Sequence, residues 1–190
     1  MTGSLSQFGA FIATGNPFTV SEGTPFAQGQ LGKVTPIGGN TTGVDPGLAP
    51  KVVQFIKRYA SDTTTMVAGD AAYWQDMDNF VVTGEIANAV GGTTAGLVAG
   101  VFGSASPSAA SYGFVQVAGV APGRFADSTS AAAAKVGSRL VFVNAANEFV
   151  VPATNASANL PTVGVLISTA AATGTHVSAE ILLAVPRHSW

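Results

Sequence analysis

From residue 51 onward, short apolar and β-branched runs alternate with turn formers. That spacing of short β-type runs predicts strands at 52–59, 71–74, 80–83, 97–102, 114–117, 140–143, 149–151, 163–168 and 177–185. Val52, Ile56 and Tyr59 would also share a helical face. The strand reading is preferred there because the matching run Phe114-Val115-Gln116-Val117 is β-branched and has glycine on both sides. Gln75-Asp76-Met77-Asp78-Asn79 reads as the tip of one hairpin and Asn144-Ala145-Ala146-Asn147 as the tip of a second. Gly100 and Gly164 mark close backbone approach inside buried strands. A helical turn is expected only at 131–135, ahead of Gly137.

The same words occur twice in order. Val53-Gln54-Phe55, Arg58-Tyr59-Ala60, Asp62-Thr63-Thr64, Gly69-Asp70, Tyr73-Trp74, Asn79-Phe80-Val81-Val82 and Val98-Ala99-Gly100-Val101-Phe102 form the first series. Val115-Gln116-Val117, Arg124-Phe125-Ala126, Asp127-Ser128-Thr129, Gly137-Ser138, Val141-Phe142, Asn147-Glu148-Phe149-Val150-Val151 and Val163-Gly164-Val165-Leu166 answer it. A unit that cannot bury its own apolar face packs against its copy, so we read one all-β domain, a compact barrel or sandwich of two pseudo-repeats at about 51–106 and 112–185. Chance likeness in a chain rich in small residues is the competing reading.

Residues 1–50 break the pattern. Pro17, Pro25, Pro36, Pro46 and Pro50, with Gly38-Gly39 and Gly43, remove backbone donors and weaken element interiors, so this stretch is read as an extended N-terminal arm before the 51–190 domain. Phe8, Phe11, Phe18 and Phe26 lie in it, and aromatic side chains on an extended segment are anchors for docking. These four and the terminal Trp190, placed beyond the last strand where it could cover a subunit seam, are the candidate partner-binding residues.

Composition narrows the functional classes. Charged residues make up 9% of the chain, against roughly 25% in an ordinary soluble protein, so much of the surface is expected to be hidden in an assembly. The net charge is -2 and the only basic pair is Lys57-Arg58, which argues against nucleic acid as a direct ligand. No apolar run approaches the ~20 residues of a membrane span, and Met1-Thr2-Gly3-Ser4 opens no signal peptide. The absence of cysteine removes disulfides, thiol catalysis and thiolate metal sites together.

Motifs for catalysis are missing. His176 and His188 have no partner at metal-binding spacing, and no G-x-S-x-G elbow, Walker loop or dinucleotide fingerprint occurs, so neither enzymatic activity nor a cofactor is expected. Asp76, Asp78 and Asn79 could offer oxygens to calcium, yet they lack the glycine and distal glutamate of a calcium loop and read better as a hairpin tip. Gly69-Asp70 reads as a turn in which glycine supplies the backbone freedom and aspartate accepts a turn N–H. The change to Gly137-Ser138 in the second series keeps an acceptor but drops the charge. Trp74 is assigned to the core, matched by Phe142.

Val67-Ala68-Gly69-Asp70-Ala71-Ala72-Tyr73-Trp74, Gly96-Leu97-Val98-Ala99-Gly100-Val101-Phe102, Tyr112-Gly113-Phe114-Val115-Gln116-Val117-Ala118-Gly119 and Val163-Gly164-Val165-Leu166, with the Ala- and Val-rich last strand, carry a likeness. Across about residues 51–185 the chain resembles the capsid decoration (cement) and head-fibre proteins of tailed bacteriophages. The resemblance implies a β-barrel or β-tulip, made in the host cytoplasm, that sits as a homotrimer on the outer capsid surface of the virion and bridges major capsid protein subunits. Its motifs are structural words without catalytic content, and the arm lies outside them.

Three other readings carry distinct expectations. A surface-displayed carbohydrate- or receptor-binding module would expose Tyr73, Trp74 or Tyr112. A hydrolase would gather polar groups, for instance around His176 and Glu180. A shell-forming subunit would need a long helix, for which the chain has no candidate.

Overall fold

The computed structural model describes residues 31–34, 51–90, 97–103, 107–125, 135–142, 149–150, 162–168, 171–173 and 176–185. Eleven strands are seen: β1 Leu31–Val34, β2 Lys51–Arg58, β3 Ala71–Asp76, β4 Val81–Thr83, β5 Val98–Phe102, β6 Tyr112–Phe125, β7 Arg139–Phe142, β8 Phe149–Val150, β9 Gly164–Leu166, β10 Ala171–Thr173 and β11 His176–Ala184. A 3-10 turn at Ile86–Asn88 is the one helical element among the described residues. The helical turn expected at 131–135 falls almost wholly outside them, as does the tip of the second hairpin.

The chain is all-β, and its ladders close. β2 pairs with β4, β4 with β3, β3 with β5, β5 with β6, and β6 returns to β2, giving a five-stranded barrel in which only β2 and β4 are parallel. The second half repeats the circuit. β6 pairs with β8, β8 with β7, β7 with β9, β9 with β11, and β11 returns to β6, again with the first contact, Phe125 opposite Phe149, the parallel one. Closure leaves the strands of each ring without free edges, and the register shifts at Val52/Val53, Ala72/Tyr73 and Trp74/Asp76 supply the bends a five-stranded ring needs.

The ladders also fix which residues correspond. Val101 faces Gln116 as Val165 faces Leu182, and Ala72 faces Gly100 as Leu140 faces Gly164. A Cβ on Gly100 would meet the Gln116 carbonyl at 2.6 Å, and one on Gly164 the Leu182 carbonyl at 2.9 Å, which is why both copies keep glycine there. Two alignments read from the sequence are corrected. Arg58 corresponds to Phe125 and Lys57 to Arg124, and Val53 corresponds to Val120 rather than Val115. Residues 112–117 close the first ring against β2; from Ala118 the same strand becomes the opening strand of the second.

The short strand expected at 114–117 is therefore a 14-residue strand. Gly119, Pro122 and Gly123 ought to end it, but tertiary pairing overrides their propensity. Gly119 takes a φ of 93° at the crossing between rings. Gln116, buried, donates from Nε2 to the Ala118 carbonyl at 3.1 Å and to the Val120 carbonyl at 2.8 Å, satisfying the backbone on both sides of that kink. Pro122 faces Glu180, whose carbonyl turns away to accept from Ile167 and Ser168, so this is a pair in which β11 asks for no N–H from Pro122.

Ile56, Met66, Ala72, Trp74, Val82, Ala99, Phe102, Val115 and Val117 fill the first ring. Phe125, Leu140, Val163, Leu166, Ile181 and Leu183 form a second core, which Ala71, Tyr73 and Val101 from β3 and β5 of the first ring also enter. The rings are thus joined by apolar packing as well as by a shared strand; each large side chain buried in that seam contributes about 1.5–3 kcal/mol. Trp74 is in the core, as expected. β1, within the stretch read as an arm, lies antiparallel along β2 with Leu31 opposite Gln54.

Candidate functional site

The ionic groups of the first ring act on loops. Arg58, at the end of β2, is buried and makes three bonds to two segments: Nε donates to Asp62 at 3.1 Å and one terminal nitrogen to the Thr64 carbonyl in the loop after β2, and the other terminal nitrogen donates to the Pro107 carbonyl at 2.9 Å. Asp62 is buried beside it and accepts in addition from the Thr83 hydroxyl, the Gly84 N–H at 2.9 Å and Asn88 Nδ2 at 3.5 Å. One ion pair thereby pins the loop after β2, the end of β4 and the stretch before β6. Charge-assisted bonds of this kind hold the segments they join in position.

Glu85 clamps the same loop from outside. Its Oε1 accepts from the Thr63 and Thr64 backbone N–H groups at 2.6 and 2.8 Å and from their hydroxyls at 2.9 and 3.0 Å, while Oε2 accepts from Asn88 Nδ2 at 3.0 Å. The Thr63 and Thr64 donors, the two backbone groups foremost, hold its pKa down to about 2.

The Gly69-Asp70 turn and its copy are superposable in bonding. Val67 N–H donates to Asp70 Oδ2 at 2.8 Å and Lys135 N–H to Ser138 Oγ at 2.9 Å. Gly69 N–H donates to the Phe102 carbonyl as Gly137 N–H does to Leu166, and φ is 92° and 90°. The turns differ in what lies against them. Asp70 also accepts from the Arg124 guanidinium, and a Cβ on Gly69 would meet the Arg124 amide nitrogen at 3.1 Å, whereas none of the described residues lies within 4 Å of one on Gly137. The extra charge of the first turn serves the junction of the rings. Tyr73, buried nearby, has its phenol pushed up, first by burial and then by the Asp70 charge.

Asp76 closes the first hairpin tip. It accepts from the Asn79 N–H at 3.1 Å and from Asn79 Nδ2 at 2.7 Å, which lowers its pKa, the side-chain bond contributing most. Phe80 follows with a φ of 49° and packs edge-on to Trp74, centroids 6.2 Å apart. Among the described residues no three acidic or histidine side chains gather as metal ligands would. His176 opens β11 opposite Thr173, and Glu180 is half-buried on the same strand, with its N–H donating to Ser168 Oγ.

The anchors expected from sequence, Phe8, Phe11, Phe18, Phe26 and Trp190, lie outside the described residues. The structure instead brings together a face that sequence reading missed. Tyr112 stacks on Phe55 with centroids 5.7 Å apart and planes 13° from parallel, Phe114 tilts against Phe55 at 5.2 Å, and the Lys57 ammonium lies 5.7 Å from the Tyr112 centroid. The available signal was alternation: Phe55 and Phe114 each flank a core residue, Ile56 and Val115, and so belong to the opposite face. Val67, Val90, Val136 and Leu182 are further exposed apolar side chains.

Searches of family models, curated proteins and solved structures found no match to this chain.

Proposed function

We propose that this protein is a structural virion component that binds the outer surface of a tailed-phage capsid as a homotrimer and stabilises the shell by bridging major capsid protein subunits. The observation that carries the reading is the use of charge. In a chain with 9% charged residues, Arg58, Asp62, Asp70, Arg124 and Glu85 are all engaged in tying loops and rings together, while apolar side chains stand exposed. Such a body suits passive contact over area. Several weak contacts made by one trimer gain strength through effective concentration, and binding only the assembled lattice shifts assembly toward it, by about 2.7 kcal/mol per site when the free protein is at 100 times its Kd.

The purified chain, added to decoration-free shells of the phage that encodes it, is expected to cosediment saturably and to raise the temperature at which those shells fall apart. Its mass in solution should be that of three chains. Removal of residues 1–24 should weaken cosedimentation while leaving the rings folded. No cosedimentation of the intact chain would sink the proposal.

One observation favours the second reading, a surface-displayed carbohydrate- or receptor-binding module: Tyr112 is 45% exposed beside Lys57. The burial of Tyr73 and Trp74 weighs against it. A glycan array that the wild type and a Tyr112→Ala variant bind equally, or not at all, would remove it.

A further inference from the structure

The two cores differ in where their members come from. Among the described residues every member of the first, the partly buried Met77, Phe80 and Leu97 included, falls between Val52 and Val117. The second is not drawn from its own ring alone. Ala71, Tyr73, Ala89 and Val101, all of the first ring, are buried in it, and Ile86 and Val98 pack on its margin. Among the described residues, side chains pass from the first ring into the second core and none passes back. The first ring therefore supplies a wall that the second needs.

The polar ties run in the same direction. The Arg58–Asp62 pair and Glu85 join segments that lie between Arg58 and Pro107, inside the first ring. Met66, buried, packs so close to Gly84 that a Cβ there would meet its thioether, so a loop of the first ring closes the first core. The Asp70–Arg124 pair crosses the seam, and the buried Gly69 turn lies on the backbone of Gly123 and Arg124, whereas the matching Gly137 is exposed. With the seam opened, the first ring would bare two alanines, Val101 and a phenol that water can hydrogen-bond; the second would lose one side of its core.

We propose that the fold is hierarchical: the first ring is the template on which the second closes, and the native protein opens through a half-open state in which the second ring is unfolded while the first stays closed. Opening of such a unit takes less free energy than global unfolding, and here it uncovers the Ala71–Tyr73–Val101 face. Chain order serves the same sequence of events, since the first ring is synthesised before the second. The hierarchy rests on core membership and hydrogen bonds and is independent of the capsid reading.

Native-state hydrogen exchange of the full-length protein tests it. The N–H groups of Val163 and Ala184, which donate to the Leu140 and Val163 carbonyls, report the second ring; those of Trp74 and Phe102, which donate to Leu97 and Asp70, report the first. In the wild type the second-ring pair should have protection factors at least about tenfold lower. Val82→Ala, in the first core, destabilises the native and half-open states alike, so it should speed Trp74 and Phe102 by about tenfold or more and leave Val163 and Ala184 within about twofold. Leu166→Ala, in the second core, destabilises the native state alone and should speed all four by about 30-fold or more; Leu166→Val is expected to show the same pattern, smaller, should Leu166→Ala fail to fold. One common protection factor for both rings, with both variants speeding all four amides, would overturn the hierarchy, as would a Leu166 variant that leaves Trp74 and Phe102 unchanged.

Discussion

Replacing Arg58 by methionine removes a buried cation and leaves Asp62 charged among the Thr83 and Gly84 donors. Breaking a buried pair on one side costs about 3–5 kcal/mol because the remaining charge is uncompensated. The variant also loses the bonds to the Pro107 and Thr64 carbonyls, so the upper part of that range is expected. For a chain of this size each kcal/mol lowers Tm by about 2–4 °C, giving a drop of about 8–20 °C in a calorimetric scan. Adding Asp62→Asn keeps an acceptor for Gly84 while removing the stranded charge, and should recover more than half of the loss. The second ring shows the logic in natural form, since buried Phe125 stands at the position of Arg58. A drop below about 2 °C for Arg58→Met, or no recovery in the double variant, would refute the view that this pair pins the loops of the first ring.

Gly69→Ala and Gly137→Ala put a Cβ on two backbones of nearly equal φ; the second should cost about 1 kcal/mol and the first clearly more, because of the Arg124 backbone, as read by urea midpoints. Glu85 has a folded pKa below its ordinary value, so its contribution to stability is complete above about pH 4.5 and is lost as pH falls toward about 2. Urea unfolding of wild type and Glu85→Gln at pH 6 and pH 3 should accordingly differ most at pH 6; a constant difference would exclude the clamp. Gln116→Leu, the residue of the equivalent position Leu182, strips the Ala118 and Val120 carbonyls of a buried donor and should destabilise by about 1–3 kcal/mol, with faster amide exchange around Gly119.

Local chemistry was legible in the residues. Short apolar runs around Trp74, Val101 and Val141 located strands, and the turn words Gly69-Asp70 and Gly137-Ser138 announced equal turns, because each of these depends on β-type residues set between turn formers or on a φ that glycine adopts without cost. The partners of the charged residues were hidden. Arg58 finds Pro107, and Asp70 finds Arg124, 54 positions away, only after the ladders close. The aromatic face was equally out of sight, since Phe55 and Tyr112 meet across a ladder.

The sequence by itself determined an all-β chain, a duplicated strand order and the glycines at which backbones approach, since these are set by side-chain periodicity and by the absence of a Cβ. Only the tertiary structure decided that the copies are two rings fused through one strand, that this strand runs past Gly119, Pro122 and Gly123, and that Arg58 matches Phe125 rather than Arg124. Ring closure joins residues far apart in the chain, and the hydrogen bonds and burial gained there outweigh the local preferences that a sequence displays.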